Sequence, residues 1–314
     1  MKSINALDDS LLVIAGPTAS GKTDIGIELA RAFDGEVISA DSRQIYRYMD
    51  IGTAKPTPQE RDAVPHHLID IVNPDESYSA AQFAVDAARV ILEIQSRNRI
   101  PILVGGSGFY LEALIDGFSP IPDVPEGIRN RLMEEARTNL PALYLRLSEV
   151  DPVLADRLHP NDRQRIVRGL EVHEATGEKL TDLQTLPRER AGEWPTTWFA
   201  LDIEREALYK TINNRVDQMI AEGLVVEVEQ MIAKGFGIEL AAVNTFGYQE
   251  VHQYLAGEIS QEEAVEQIKI GTRHYAKRQL TWFRRNTRIT WVDNSAGRAA
   301  QTILKSLDTN QGSG

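Results

Sequence analysis

Eight consecutive residues, Gly16, Pro17, Thr18, Ala19, Ser20, Gly21, Lys22 and Thr23, carry the spacing G-x-x-x-x-G-K-T. Such glycines let the backbone turn so that successive N–H groups converge on an anion, and a helix starting behind the second glycine adds partial positive charge at the same point. Lys22 adds a full charge, and the Thr23 hydroxyl is a suitable oxygen ligand for Mg2+. The whole stretch is therefore a candidate di- or triphosphate site. An ordinary strand–turn–helix corner would need neither Lys nor Thr directly after its second glycine. Asp41, in Ala40-Asp41-Ser42-Arg43-Gln44, is a carboxylate that could hold Mg2+ or take a proton from a nucleophile. Capping a helix is its structural alternative. Arg215 shares a helix face with Leu208, Ile212 and Met219. A guanidinium in an apolar stripe calls for an anionic partner or a route to the surface.

The elements that must position these groups follow from apolar patterning. Leu11 to Ala15 reads as a buried strand, with a helix from Gly21 through Phe33 behind it. Glu36 to Ala40 is a second strand. In a parallel sheet the carboxyl ends of neighbouring strands share one edge, which puts Asp41 near the phosphate loop. Residues Tyr48 to Pro65, with Gly52, Pro56, Pro58 and Pro65, read as an irregular excursion. His66 to Ile71 reads as a third strand. Its two histidines point to opposite faces and cannot easily share a metal, so both are assigned structural roles. Ser79 caps a helix running to about Asn98. The strand Ile100 to Val104 then meets Gly105-Gly106-Ser107-Gly108. Many phosphate-loop NTPases place an Mg2+-orienting Asp at such a strand end, and small residues here leave room for a bulky group.

Further along, Gly117 to Gly127 reads as a linker, Ile128 to Leu183 as helical throughout, and Leu186 to Pro195 as irregular. Thr197 to Ile203 alternates like a strand. The expected class is α/β, a P-loop NTPase-like parallel sheet core (1–119 and 196–314) flanked by helices. A helical insertion subdomain (120–195) interrupts it. Glu204 to Ile232 reads as helical with a turn at Gly223. Asn244 to Glu250 is a turn before a short helix. Glu262 to Arg285 is a long helix with an inner stripe of Ala264, Ile268, Gly271, Tyr275 and Trp282. Arg288 to Val292 is a last strand, and Asp308 to Gly314 is read as disordered.

The 314 residues are 42% hydrophobic and 25% charged, as in an ordinary globular protein. There is no cysteine, which excludes disulfides, thiolate catalysis and cysteine–zinc sites. No apolar h-region opens the sequence, and no run approaches the ~20 apolar residues of a bilayer span, so a cytoplasmic location is expected and no membrane partner. The net charge of −12 argues weakly against a polyanionic partner. Its distribution matters more. Six Lys or Arg and no acid lie between Arg273 and Arg288, and four Arg against Asp162 alone lie between Arg157 and Arg168. Each patch is either a solvated helix face or a surface for nucleic acid.

GPTASGKT, ADSRQIY, MDIGTAKP, HHLIDI, GGSGFY, RQRIVRGLEV and AKRQLTWFR occur in this order. From Leu11 to about Arg288 the chain resembles the bacterial tRNA dimethylallyltransferase (tRNA isopentenyltransferase) family. GGSG stands where GGTG is commoner, keeping a hydroxyl, and NTFGYQE is looser than the usual IGYKE-like stretch. The resemblance implies transfer of a dimethylallyl group from dimethylallyl diphosphate to N6 of the adenosine on the 3′ side of a tRNA anticodon, with diphosphate leaving and Mg2+ assisting. In it Asp41 takes the N6 proton. Lys22, Thr23, the loop amides and Arg215 stabilise the leaving group. The base flips out of its stack, and Ser42, Arg43 and Gln44 read it, Gln44 being suited to adenine's donor–acceptor edge.

By the same resemblance Ser107, Arg129, Gln164, Arg165, Ile166, Val167 and Arg168 match tRNA-contacting positions. So do Asn244, Thr245, Phe246, Gly247, Tyr248 and Gln249, and Lys277, Arg278, Gln279, Leu280, Thr281, Trp282, Phe283 and Arg284. The implied partners are the anticodon stem-loop of tRNA and dimethylallyl diphosphate, and nothing demands more than a monomer. Three other readings share the loop. They are a small-molecule kinase, an enzyme prenylating free AMP, ADP or ATP, and a non-catalytic RNA-binding NTPase.

Overall fold

The computed structural model of the protein describes residues 10–294 and 297–309. The N-terminal stretch, which carries no apolar h-region, lies outside these residues apart from Ser10, as do residues 310–314 of the expected disordered tail. The chain divides into two compact units. One is built from the described residues up to Ile115 and from Ala191 onward, the other from Asp116–Arg190.

The frame of the first unit is a six-stranded, all-parallel sheet. Its strands are β1 (Leu11–Ala15), β2 (Gly35–Ser39), β3 (His66–His67), β4 (Ile100–Gly105), β5 (Thr196–Asp202) and β6 (Ile289–Asp293). The order is β3-β2-β4-β1-β5-β6. β1, β2 and β4 are buried along their whole length. A parallel sheet covered on both faces requires this, which is why LLVIA and IPILV are unbroken apolar runs and not alternating ones. In this unit the helices before the second unit are α1 (Lys22–Phe33), α2 (Pro58–Ala63), α3 (Ala80–Ser96) and α4 (Gly108–Ile115). The second unit contributes α5 (Glu126–Val150), α6 (Pro152–Arg157), α7 (Arg163–Thr176) and α8 (Leu180–Leu183). The chain then returns through α9 (Arg205–Glu222), α10 (Leu224–Ala233), α11 (Tyr248–Leu255), α12 (Gln261–Phe283) and α13 (Ala299–Thr309). One core joins Leu12, Ile14, Ile102, Val104 and Phe199 of the sheet to Ile25 and Leu29 of α1 and Ile303 and Leu307 of α13.

Local chemistry sets the helix ends. Ser79, Ser260 and Thr57 each begin a helix with a reciprocal capping box to Gln82, Glu263 and Glu60. Gly223, at φ 105°, parts α9 from α10.

Four expectations need correction. The third strand ends at His67, because Leu68 (φ 60°) and Asp70 (φ 58°) take left-handed backbone and turn the chain off the sheet. Asp70 then meets Lys55 at 2.5 Å and Arg61 at 2.8 Å. The excursion from Tyr48 contains α2, started by Thr57 with Pro58 at its first position. The small residues after β4 lead directly into α4 and leave no open room, because Ala40, Gln279 and Trp282 fill the space beside Gly105, Gly106 and Gly108, and Asp308, read as disordered, lies in α13. The two histidines serve structure: His66 Nδ1 pairs with the Val64 carbonyl at 2.8 Å and His67 Nε2 with Glu36 at 2.6 Å.

The second unit is helical. α5 bends at Asn139 (φ −147°, ψ 64°), just before Pro141. Its two arms pack on α7 through Leu132, Ala136, Leu143 and Leu147 against Ile166, Val167 and Leu170. Asp151 is fully buried and satisfied, capping Leu154 N and accepting both the amide and the hydroxyl of Thr181.

Candidate active site

Register aligns the strand ends. Ala15 of β1 pairs with Gly105 of β4 and Ala200 of β5, and Ser39 of β2 pairs with Val104. The loop after β1, the turn after β2 and the glycines after β4 thus share one edge. The loop reaches α1 through left-handed backbone at Ala19 (φ 63°) and Gly21 (φ 83°). Gly21 precedes α1 without a side-chain cap, so the first-turn N–H groups have no side-chain acceptor there. The buried Ser20 hydroxyl also lacks a hydrogen-bond partner. Uncapped amides with an orphan hydroxyl form a cradle that an anion would complete. Lys22 Nζ donates only weakly to the Pro17 carbonyl, at 3.3 Å. Burial brings its pKa down to about 8; the Asp41 carboxylate opposes this and Arg215 adds to it. Asp41 and Arg215 therefore both lie within electrostatic reach of Lys22. The loop is braced from behind, where Ala19 packs on Leu208 and Ile212 of α9 and Ala276 of α12.

The Asp41 turn is pinned to the β4 end. The Ser107 hydroxyl accepts Ser42 N–H at 2.9 Å and donates to the Ser42 hydroxyl at 3.1 Å. Gly105 is required beside it, since a Cβ there would stand 2.1 Å from the Ala40 carbonyl. Asp41 Oδ1 accepts Arg43 N–H at 2.9 Å, so it does cap its own turn. Burial and the Asp41 charge both push the Tyr275 hydroxyl up to about 12. Burial lowers Arg215 from its ordinary value, with the Asp24 carboxylate opposing. A guanidinium still keeps its proton at any physiological pH.

Thr18, Asp41, Ser42, Arg43 and Arg215 line one cavity of about 260 Å³. Thr245, Phe246, Gly247, Tyr248 and Arg278 line it too. Its apolar wall is Ile212, Val216, Met219 and Ile268, and a further wall is Gly52, Thr53 and Ala54. The expectations from sequence omitted these walls. Gly52 lies against the Tyr248 ring, where a Cβ would stand 2.5 Å from it. Glu227 of α10 accepts N–H groups from Asp50 (2.9 Å), Ile51 (2.7 Å) and Gly52 (3.1 Å), and the Tyr248 hydroxyl donates to it at 2.7 Å. No local signal could have found Glu227, since the backbone amides it holds lie some 175 residues earlier in the chain.

Several expected RNA contacts are committed elsewhere. Gln44 donates to the Thr53 and Ala54 carbonyls and accepts from Ser39, so its amide holds the cavity wall and offers no free edge to a base. Arg43 donates to the Ala241 and Ala242 carbonyls. Ile166 and Val167 belong to the helical core, and Tyr248 and Phe283 are fully buried. Leu280 packs toward Ala19. Trp282 covers Gly108, where a Cβ would stand 2.4 Å from its ring. The inner face of α12 is Ala264, Ile268, Ala276, Gln279 and Phe283, so Gln279 points inward, to the loop. Gln164, Arg165, Asn244, Gln249, Lys277, Arg278, Thr281 and Arg284 are exposed. Arg129 and Arg168 both face the buried Glu171, at 3.6 and 2.7 Å.

The model of a family described as IPP transferase matches residues 44–286. The chain belongs to the IPP transferase family. It is 49% identical over 287 residues to a tRNA dimethylallyltransferase of Geobacter sulfurreducens, covering 91% of this chain and 92% of that one. The crystal structure of a full-length tRNA isopentenylpyrophosphate transferase from Bacillus halodurans is 41% identical, covers 97% of this chain and 96% of its own, and has a TM-score of 0.70. A eukaryotic dimethylallyltransferase solved acting on tRNA is 29% identical, with 96% and 80% covered and a TM-score of 0.78. The family match begins at Gln44, so the placing of the phosphate loop and Asp41 in the site rests on the geometry above. No helix among the described residues of this IPP transferase is long and apolar enough to cross a membrane.

Proposed function

We propose that the protein transfers a dimethylallyl group from dimethylallyl diphosphate to N6 of the adenosine 3′ of a tRNA anticodon. The observation that carries this is the joining of three features at one cavity. They are the phosphate loop, whose Thr18 lines the cavity and whose Lys22 feels the charges of Asp41 and Arg215 there, the Asp41 carboxylate, and an apolar wall of Ile212, Val216, Met219 and Ile268. A phosphoryl acceptor needs no such wall. A five-carbon chain does.

In the reaction the donor's C1–O bond breaks and its electron pair leaves with the diphosphate. N6 of the adenine forms the new bond to C1, and the N6 proton passes to Asp41. Lys22, the uncapped amides of α1 and Arg215 oppose the charge that gathers on the departing diphosphate, where preorganised charge lowers the barrier most. An adenine amine is scarcely basic, so holding N6 in line matters as much as proton removal. The turn pinned by Ser107 fixes Asp41 for both tasks. Among the described residues no cluster of three or more His, Asp or Glu could cage a metal. That suits Mg2+, which is commonly held by one or two protein oxygens plus substrate phosphates. The Thr23 hydroxyl would hold it here, and when bound it neutralises diphosphate charge.

The exposed basic face of α12 (Lys277, Arg278 and Arg284) and the arginines of the helical unit (Arg129, Arg165 and Arg168) take the tRNA. The protein works as a monomer in the cytoplasm. The test supplies Mg2+, labelled dimethylallyl diphosphate and unmodified tRNA, with AMP and ATP as parallel acceptors. Label in tRNA alone is expected. Label in AMP or ATP would move the function to free-nucleotide prenylation, and no label with folded protein would refute prenyl transfer.

A further inference from the structure

A phosphate loop usually serves a nucleoside triphosphate, and Gln279 gives this one a physical reason to prefer a diphosphate. Gln279 is 6% exposed on the inner face of α12. Its Oε1 accepts Thr18 N–H at 2.8 Å, and its Nε2 donates to the Gly106 carbonyl at 2.9 Å. Gly106 makes the room, since a Cβ there would stand 2.3 Å from Nε2. With both ends of the amide engaged, the side chain has one orientation. Turning it toward a ligand would leave two buried groups unpaired.

Thr18 is the third residue of the loop and lines the cavity. Its N–H is closed by Gln279, and that of Ser20 turns back to the Pro17 carbonyl at 3.3 Å. The uncapped donors gather instead at the α1 end, beside Lys22. A triphosphate carries one phosphate more than a diphosphate and calls on more of the loop's backbone N–H groups, Thr18 among them, to cradle it. At Thr18 it meets the Gln279 carbonyl oxygen seated on the donor it would need. A diphosphate calls on fewer donors.

We propose that Gln279 is a specificity-determining residue that makes the loop select a diphosphate over a triphosphate by occupying the Thr18 amide. This rests on the prenyl-diphosphate reading of the site and names what enforces it. The full chain is titrated calorimetrically with inorganic diphosphate and inorganic triphosphate in excess Mg2+, beside Gln279→Ala, Gln279→Met and Gln279→Glu. Binding needs no turnover, so the outcome is independent of whether tRNA is prenylated.

Wild type is expected to bind diphosphate about tenfold more tightly than triphosphate, on the scale of one charge-assisted hydrogen bond. Gln279→Ala and Gln279→Met free the Thr18 amide and should lose that preference through gained triphosphate affinity. Gln279→Glu still accepts from Thr18 and should keep it. Wild type without a preference overturns the proposal. So does an unchanged ratio in the variants at near-native thermal midpoints, or a lost preference in Gln279→Glu. Should Gln279→Ala not fold, Gln279→Met, which refills the volume, decides.

Discussion

Lys22 is the residue whose charge state the fold has altered most usefully. An exposed lysine stays protonated to about pH 10. Burial brings Lys22 to about 8 in the free protein. The neutral form therefore gains population as pH rises through that value, and an arriving diphosphate, which favours the charged form, must draw a proton back. Diphosphate affinity should be level below about pH 8 and fall above it. Calorimetry in two buffers at about pH 9 should register proton uptake that Lys22→Met lacks, the variant cancelling the ligand's own protonation. Equal uptake in both proteins would remove Lys22 from the diphosphate. Asp41 gives a sharper test. Asp41→Asn keeps an oxygen to cap the turn but cannot take a proton, so single-turnover transfer should drop ~100-fold or more with tRNA binding retained. A wild-type rate in that variant would end its assignment as base. These residues were legible because each sits in a short stretch with its own local chemistry. Gln279 entered only as a tRNA contact by resemblance; its hold on the loop was not legible, because its partners Thr18 and Gly106 are 261 and 173 positions away, and a glutamine in a basic helix looks like surface.

At the scale of elements, capping chemistry is legible where a long apolar pattern follows it, as at Ser79 and Gly223, and is missed at Thr57, whose helix is six residues long with none buried. Loop 50–55 carries no such mark. It is shaped by groups that arrive from elsewhere, with Gln44 on its carbonyls, Lys55 between Asp50 and Asp70, and Glu227 under its amides. Glu227 is the one whose loss this wall feels most, because a single carboxylate accepts three backbone N–H groups and the Tyr248 hydroxyl. Glu227→Ala strands these donors. It should cost about 1–3 kcal/mol in urea unfolding, the penalty for unsatisfied buried donors. Because Gly52 to Ala54 face the cavity, KM for the tRNA acceptor should rise while diphosphate affinity holds. Equal losses in both would show that Glu227 supports the fold generally and not this wall.

At the scale of the whole molecule, two patterns decide different things. Continuous apolar runs at β1 and β4 call for a sheet buried on both faces, and hence a parallel one with its reactive groups along one edge. Charge decides the partner, and there the total misleads. The −12 total argues weakly against an RNA partner, yet among the described residues Lys277, Arg278 and Arg284 have no carboxylate within ion-pair distance. Arg129 and Arg168 instead share Glu171, which is buried at 1% side-chain exposure. A cation that is free before binding releases counterions from RNA in full, whereas one held by a buried carboxylate must first weaken that pair. The log–log salt dependence of tRNA binding should therefore flatten by roughly 0.7–0.9 for each of Lys277, Arg278 and Arg284 changed to Ala. It should flatten by less for Arg129 or Arg168. Filter binding between about 50 and 200 mM salt resolves the difference. Equal slopes across the set would mean that Glu171 gives up its arginines freely. No change on altering α12 would mean that the RNA lies elsewhere.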